Sequence, residues 1–183
     1  LFNVIQTSIA KFTSEFHARK HVSKIAYLFA KGLRKLFFFG MIGLAVYAAG
    51  SVIIPPFARI PVATYLLLGI ALPFLFILPL NRGILQGIQN FKQLSWNMIA
   101  EGVGKVGMGI LLVALGMGIN GAVLGIVFSH VFALAATFLP LRQFLKHRGE
   151  AFETRKVYRY SIPVLFSMLI LTLMYSIDVL LVK

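Results

Sequence analysis

Residues 62–80 read VATYLLLGIALPFLFILPL and contain no charged side chain. An α-helix rises about 1.5 Å per residue, so a stretch of this length matches the ~30 Å hydrocarbon core of a bilayer. Pro73 and Pro79 lie inside the stretch and predict kinks, which membrane helices tolerate where neighbouring groups satisfy the freed carbonyls. We therefore interpret Val62–Leu80 as a helix that spans a membrane.

The rest of the chain shares this apolar character. Its 183 residues are 59% hydrophobic and 13% charged, and the mean hydropathy is +0.89. Soluble domains average about 45–50% apolar and about 25% charged residues. We predict an all-α, polytopic transmembrane bundle of about six spans. In chain order the predicted spans are Leu1–Phe16, Leu36–Ile54, Val62–Leu80, Met98–Leu115, Ala122–Leu141 and Ser161–Val182.

Both ends of the sequence lie within or beside apolar stretches. Residue 1 is Leu and starts inside such a stretch, and Lys183 directly follows the apolar run Val164–Val182. No charged segment followed by an apolar run and a small-residue cleavage motif is present, so we predict no signal peptide. We expect the sequence to be an internal piece of a longer membrane protein.

Basic residues cluster between the apolar stretches. The formal net charge is +13, and most cations fall in segments 17–35, 82–97 and 142–159, whereas the turns at 55–61 and 116–121 hold one arginine between them. This alternation follows the positive-inside rule, so we expect the three basic segments to be cytoplasmic loops. We attribute the charge to contact with anionic lipid and predict no nucleic-acid partner.

We make further predictions for two of these basic segments. We expect His17–Lys35 to form a basic amphipathic stretch on the membrane surface. Its predicted apolar face comprises Ile25, Leu28, Phe29 and Leu36. In segment 82–97 we expect a turn near Phe91–Ser95, followed by Trp96 as an interfacial anchor.

Motifs of soluble enzymes are missing from the sequence. The pattern G-x-G-x-x-G occurs at residues 102–107 and 116–121, but neither match has the preceding strand and βαβ context that dinucleotide binding needs. We interpret them as close helix packing and a tight turn. There is no cysteine, no G-x-S-x-G and no H-E-x-x-H, so we predict no catalytic residue, metal or cofactor.

Small residues form a ladder in the fifth predicted span. Gly121, Gly125, Ser129 and Ala133 are spaced by four, which places them on one helix face. Small faces let helices approach closely in lipid. We favour packing within the chain over a dimer face.

Ionisable residues inside the predicted spans are expected to have a structural or functional role, because a charge at the bilayer centre costs about 2.5–3.5 kcal/mol on insertion scales. Glu101 and Lys105 form an i,i+4 pair. We interpret them as an interfacial pair, with the lining of a polar cavity as the alternative. His130 is interpreted as a packing histidine rather than a proton relay. Asp178 is either a structural partner or part of a substrate or ion pathway.

Polar residues also recur along the first span. Asn3, Thr7 and Ser14 share one face of the predicted helix, and Gln6 lies beside them. A polar stripe on a membrane helix rarely faces lipid. We therefore expect this stripe to line a cavity.

Three further segments together resemble the prokaryotic polysaccharide-biosynthesis membrane proteins, the lipid-linked oligosaccharide flippases of the multidrug/oligosaccharidyl-lipid/polysaccharide (MOP) superfamily. The segments are RGILQGIQNF at Arg82–Phe91, GMGINGAVLG at Gly116–Gly125, and SIPVLFS at Ser161–Ser167 leading to YSID at Tyr175–Asp178. The resemblance aligns the chain with the second to seventh helices of a protein with twelve or more. It implies a partial N-terminal lobe at residues 1–159, without its first helix, and the truncated first helix of a C-terminal lobe at residues 160–183.

The resemblance also implies a function and a set of site residues. Such proteins move a lipid-linked sugar from the cytoplasmic to the outer leaflet of the cell membrane by alternating access. The implied partners are membrane lipid, the lipid-linked sugar and a coupling ion, either proton or sodium. The implied substrate path comprises Asn3, Gln6 and Thr7 in the lumen and Asp178 near the gate. Lys11 and Lys105 supply cations that suit a diphosphate, and Glu101 is the remaining residue expected to line the path.

Other functions remain open from the sequence. A cation-coupled drug exporter of the same superfamily could use Asp178 or Glu101 to carry protons. A membrane-embedded glycosyl or acyl transferase would need acids in a sizeable loop, for which Arg142–Arg159 offers Glu150 and Glu153. A membrane scaffold without transport activity is a further alternative.

Overall fold

The computed structural model describes residues 2–54, 61–145 and 149–181, without the side chains of residues 52 and 175–181. Helices make up its regular structure, and the described part contains no strand, which confirms the all-α prediction. In chain order the helices are α1 (Phe2–Ala18), α2 (Val22–Ala49), α3 (Val62–Ile70), α4 (Leu72–Gly87), α5 (Phe91–Leu112), α6 (Gly118–Leu145) and α7 (Arg155–Leu181).

Four helical stretches are long and apolar enough to cross a membrane: Val22–Ala49, Val62–Gly87, Phe91–Leu145 and Arg155–Met174. The third stretch has 55 residues, which as one straight helix would be roughly 80 Å long. It instead folds back on itself at Gly116 and Gly118, whose φ angles are 87° and 53°. Glycine adopts positive φ without a side-chain clash, which allows the chain to reverse here. The predicted turn at this position is therefore confirmed, and α5 and α6 are separate passes.

The small-residue ladder lies between α5 and the antiparallel α6. A Cβ atom added to Gly121 would meet the backbone of Leu112, and one added to Gly125 would lie 2.5 Å from the backbone nitrogen of Gly109. Further along the same face, Asn97 of α5 donates to the carbonyl of Ala133 at 2.7 Å. The preferred interpretation of the ladder, packing within the chain, is confirmed.

Other helix pairs show that successive passes reverse direction. α1 runs parallel to α4, with Gly83 against the carbonyl of Gln6 and Gly87 against that of Ala10. α2 runs antiparallel to α4, and Gly40 lies against the backbone of Pro73. This up-and-down order brings the three basic segments to one end of the bundle, called the basic end below.

The core of the bundle is densest at the basic end. It is built from large apolar side chains of α1, α2, α4 and α6, among them Phe16, Ile25, Phe29, Leu80, Ile84 and Leu141. The surfaces of α2, α5 and α7 that face away from this core expose apolar side chains, including Phe38, Val103 and Phe166. Exposed apolar faces of this extent are typical of helices that contact lipid.

The expectation for residues 17–35 was wrong. The segment is a turn at Arg19–His21 followed by the first half of α2, which runs continuously to Ala49. Ile25, Leu28 and Phe29 are 0%, 4% and 0% exposed, because their apolar face packs against the bundle and not on a membrane surface. A protein core and a lipid surface require the same amphipathic pattern, so the sequence did not distinguish them.

The predicted ends of other elements also shift. The chain turns at Ile88–Asn90, not at Phe91–Ser95, because the Asn90 side chain accepts from the backbone N–H of Gln93 at 3.3 Å and caps α5. The pass at 62–87 is broken at Ala71, next to Pro73, whereas α4 continues past Pro79. α6 extends to Leu145 and α7 begins at Arg155, which shortens the predicted loop 142–159. The predicted turn at 55–61 lies almost wholly outside the described residues.

Candidate functional site

A network of charged and polar side chains lies inside the bundle, where α4, α5 and α6 meet. It is formed by Arg82, Asn97, Glu101, Lys105 and His130 and is called the ionic network below. Glu101 lies about 15 Å along α5 from its first residue. Glu101 therefore lies inside the helical stretch Phe91–Leu145, which is long and apolar enough to cross a membrane.

Arg82 and Glu101 form the centre of the ionic network. One guanidinium nitrogen of Arg82, Nη2, donates to Glu101 Oε2 at 2.6 Å, and their side chains are only 12% and 13% exposed. Arg82 Nε and Nη2 also donate to Asn97 Oδ1 at 2.8 and 2.7 Å. Asn97 in turn donates to α6, so the arginine links all three helices.

Lys105 and His130 approach the other oxygen of the same carboxylate. Lys105 Nζ donates to Glu101 Oε1 at 3.2 Å, and His130 Nε2 lies 3.5 Å from that oxygen. His130 Nδ1 is 2.8 Å from the carbonyl oxygen of Ile126. A carbonyl only accepts, so Nδ1 carries the proton of a neutral ring and Nε2 is left without one. Protonation at Nε2 would therefore create a new donor to Glu101.

The charges of the network do not cancel. Arg82 and Lys105 contribute two positive charges against the single negative charge of Glu101, before any protonation of His130. Buried charges are retained only when paired and hydrogen-bonded. The arrangement can hold three helices together, attract an anion, and accept a proton at His130 Nε2.

The polar residues predicted on α1 lie apart from the ionic network. α1 packs on α2, α4 and α7 but not on α5 in the described structure. Gln6 donates to Gln86 of α4 at 3.1 Å, and Thr7 is half-buried. Asn3 and Lys11 are exposed on a face that the described helices leave uncovered; Lys11 Nζ lies 4.3 Å from the ring centroid of Tyr160.

The structure brings some of the predicted site residues together and leaves others apart. Glu101 and Lys105 are paired as predicted, while Asn3, Gln6, Thr7 and Lys11 follow a separate helix. The side chain of Asp178 lies outside the description. Sequence reasoning assigned Arg82 to an interfacial segment. It missed Arg82 as the partner of Glu101 and Asn97 as the partner of Arg82. The sequence feature that could have indicated this ion pair is an arginine and a glutamate at similar depth on successive passes.

No set of metal ligands accompanies this network. Groups of three or more His, Asp or Glu side chains able to hold a metal ion do not occur over the described parts of the chain. Within the described residues, Glu101 supplies the one carboxylate at ion-pair distance from His130.

Comparisons with known proteins identify a family. The family model described as "Polysaccharide biosynthesis protein" matches residues 5–183. Neither the curated proteins nor the solved structures gave a match. Because the family match covers nearly the whole chain and agrees with the resemblance of its glycine-rich and polar segments, the protein belongs to the polysaccharide biosynthesis protein family.

Proposed function

We propose that the protein transports a lipid-linked oligosaccharide, a precursor of polysaccharide, from the cytoplasmic to the outer leaflet of the cell membrane by alternating access. The observation that carries the proposal is a set of charged side chains held inside an otherwise apolar helical bundle of this family. A sugar diphosphate cannot cross hydrocarbon unaided and needs a polar path, and buried membrane charges generally mark such paths.

Two parts of the structure would serve this transport. The exposed polar face of α1, with Asn3, Thr7 and Lys11, would line the path of the head group. The ionic network would act as the coupling site, because His130 Nε2 can accept a proton beside Glu101, while Arg82 and Lys105 hold the carboxylate in place. We orient the basic end toward the cytoplasm by the positive-inside rule.

A reconstituted transport assay tests this proposal. The full-length protein is placed in liposomes that contain a fluorescent polyprenyl diphosphate sugar, and a membrane-impermeant quencher reports the outer leaflet. We expect flipping by the wild type and a loss of about tenfold or more in rate for Glu101→Gln, which removes the negative charge beside His130. Protein-independent flipping, or unchanged rates in Glu101→Gln with the wild type active, would contradict the proposed roles.

A cation-coupled drug exporter is the second candidate, because a histidine beside a buried carboxylate would serve that activity equally well. Uptake of a lipophilic cation into the same liposomes, driven by a proton gradient and without flipping, would favour it.

The transferase alternative receives less support from the structure. Glu150 and Glu153 are largely exposed and each pairs with a lysine, Lys24 at 3.6 Å and Lys156 at 3.8 Å. They therefore do not form the pair of free acids that sugar-transfer chemistry uses.

A further inference from the structure

A groove opens between α2 and α7 near the basic end. Both helices pack on α1 but share no close backbone contact with each other over the described residues, which leaves a cavity of about 140 Å³. Its wall is almost entirely apolar. The apolar wall residues are Ile5 and Ile9 of α1, Leu28, Leu36 and Phe39 of α2, and Val157 of α7.

Two lysines of α2 bridge the groove at its rim. Lys31 Nζ donates to the Tyr27 hydroxyl at 2.8 Å and to the Thr154 hydroxyl at 3.4 Å. Lys35 Nζ donates to the Tyr158 hydroxyl at 2.9 Å. Each ammonium also lies 5.0 Å from the ring centroid of its tyrosine. Hydroxyls that accept from lysine keep their own protons, so the rim can donate to a further acceptor.

The rim carries uncompensated positive charge. Across the part of the chain that the structure describes, neither Lys31 nor Lys35 has a carboxylate within ion-pair distance, and the acids of the neighbouring loop pair with other lysines. Ammonium and hydroxyl donors without a counter-charge are suited to phosphate oxygens. An apolar wall directly below such donors is suited to the hydrocarbon attached to that phosphate.

We propose that this groove binds the diphosphate end of a polyprenyl-linked amphiphile, with the phosphates on Lys31, Lys35, Tyr27, Tyr158 and Thr154 and the first tail units against the apolar wall. The proposal rests on the proposed function and names a docking site that precedes translocation. The charge favours this occupant over a singly charged bilayer phospholipid: two ammonium groups match the two negative charges of a diphosphate diester, whereas a phosphatidylglycerol head carries one.

Direct binding tests the groove separately from transport. The probe is a radiolabelled polyprenyl diphosphate sugar, and the full-length protein is held in nanodiscs of neutral lipid. We expect Lys31→Gln/Lys35→Gln to raise the Kd about tenfold or more, because charge-assisted hydrogen bonds are lost. Lys31→Arg/Lys35→Arg keeps the charges and should stay within about threefold of the wild type.

Two further variants control the comparison. Lys92→Gln/Lys156→Gln removes the same charge from exposed lysines outside the groove, and its Kd should change by no more than about twofold. Tyr27→Phe/Tyr158→Phe keeps the rings and charges but removes the hydroxyls, and should raise the Kd about threefold or more. This tyrosine variant decides the question if the lysine variant fails to fold.

Several outcomes would overturn the assignment. Wild-type affinity in both groove variants would do so, as would an equal loss in the control variant, which would indicate general surface attraction. Competition by phosphatidylglycerol mole for mole would identify a bilayer lipid as the occupant instead. Failure to flip the probe, with this binding pattern intact, would contradict the proposed function but leave the groove assignment standing.

Discussion

The strongest energetic prediction concerns the Arg82–Glu101 ion pair. Removing one partner of a buried pair destabilises soluble proteins by about 3–5 kcal/mol, whereas hydrogen bonds between membrane helices average about 0.6 and reach about 1.7 kcal/mol. The Arg82–Glu101 pair has a short 2.6 Å contact and little exposure, but Lys105 still compensates Glu101 when Arg82 is lost. We therefore expect a coupling energy of about 1.5–3 kcal/mol.

A double-mutant cycle measures this coupling energy. The variants are Arg82→Gln, Glu101→Gln and the double variant, and the free energy of unfolding is obtained by denaturant titration in mixed micelles. The matched control is the Lys156–Glu153 pair, which is 3.8 Å apart and 71% and 62% exposed; its coupling energy should be below about 0.5 kcal/mol. A coupling energy for Arg82 and Glu101 no larger than the control value would refute the claim that the network holds the bundle together.

Three further predictions concern packing, proton exchange and a buried hydrogen bond. Gly125→Ala should lower the free energy of unfolding by about 1–3 kcal/mol through overpacking against α5, while Gly107→Ala, whose Cβ would meet nothing within 4 Å, should not; equal effects would contradict the ladder. His130→Gln should reduce the response of the flipping rate to an imposed proton gradient, because the variant side chain cannot accept a proton beside Glu101, and an unchanged response in liposomes would exclude the histidine from coupling. Asn81→Leu should destabilise the protein by about 1–3 kcal/mol in the same micelle titration, because the Thr137 hydroxyl at 2.7 Å loses its donor; wild-type stability would show that this bond contributes nothing.

The sequence predicted the passes and their direction because hydrophobic length and charge asymmetry are properties of single segments. It also predicted the glycine turn and the small-residue ladder, since both depend on local spacing. Glu101 and Lys105 were found for the same reason, being neighbours on one helix.

The features that the sequence missed depend on contacts between segments. Arg82 joins Glu101 across two helices, and no local pattern distinguishes that arginine from an interfacial one. Lys31 and Lys35 appeared to be part of a surface helix, because the sequence pattern of an apolar face is the same whether that face packs on lipid or on protein. Only the position of α7 reveals them as the rim of a groove.

The most direct test of the account is the topology of its helices in the membrane. These 183 residues contain no cysteine, so each single substitution adds one thiol to this part of the protein, and the parent protein without the substitution gives the background labelling. The substitutions are Lys20→Cys, Lys92→Cys and Glu150→Cys at the basic end, and Ile119→Cys at the opposite end. With an impermeant thiol reagent on intact cells, we expect Ile119→Cys alone to react, and the other three to react only after permeabilisation. Reaction of any basic-end cysteine in intact cells, with the others protected, would place basic segments on both sides of the membrane and contradict the account.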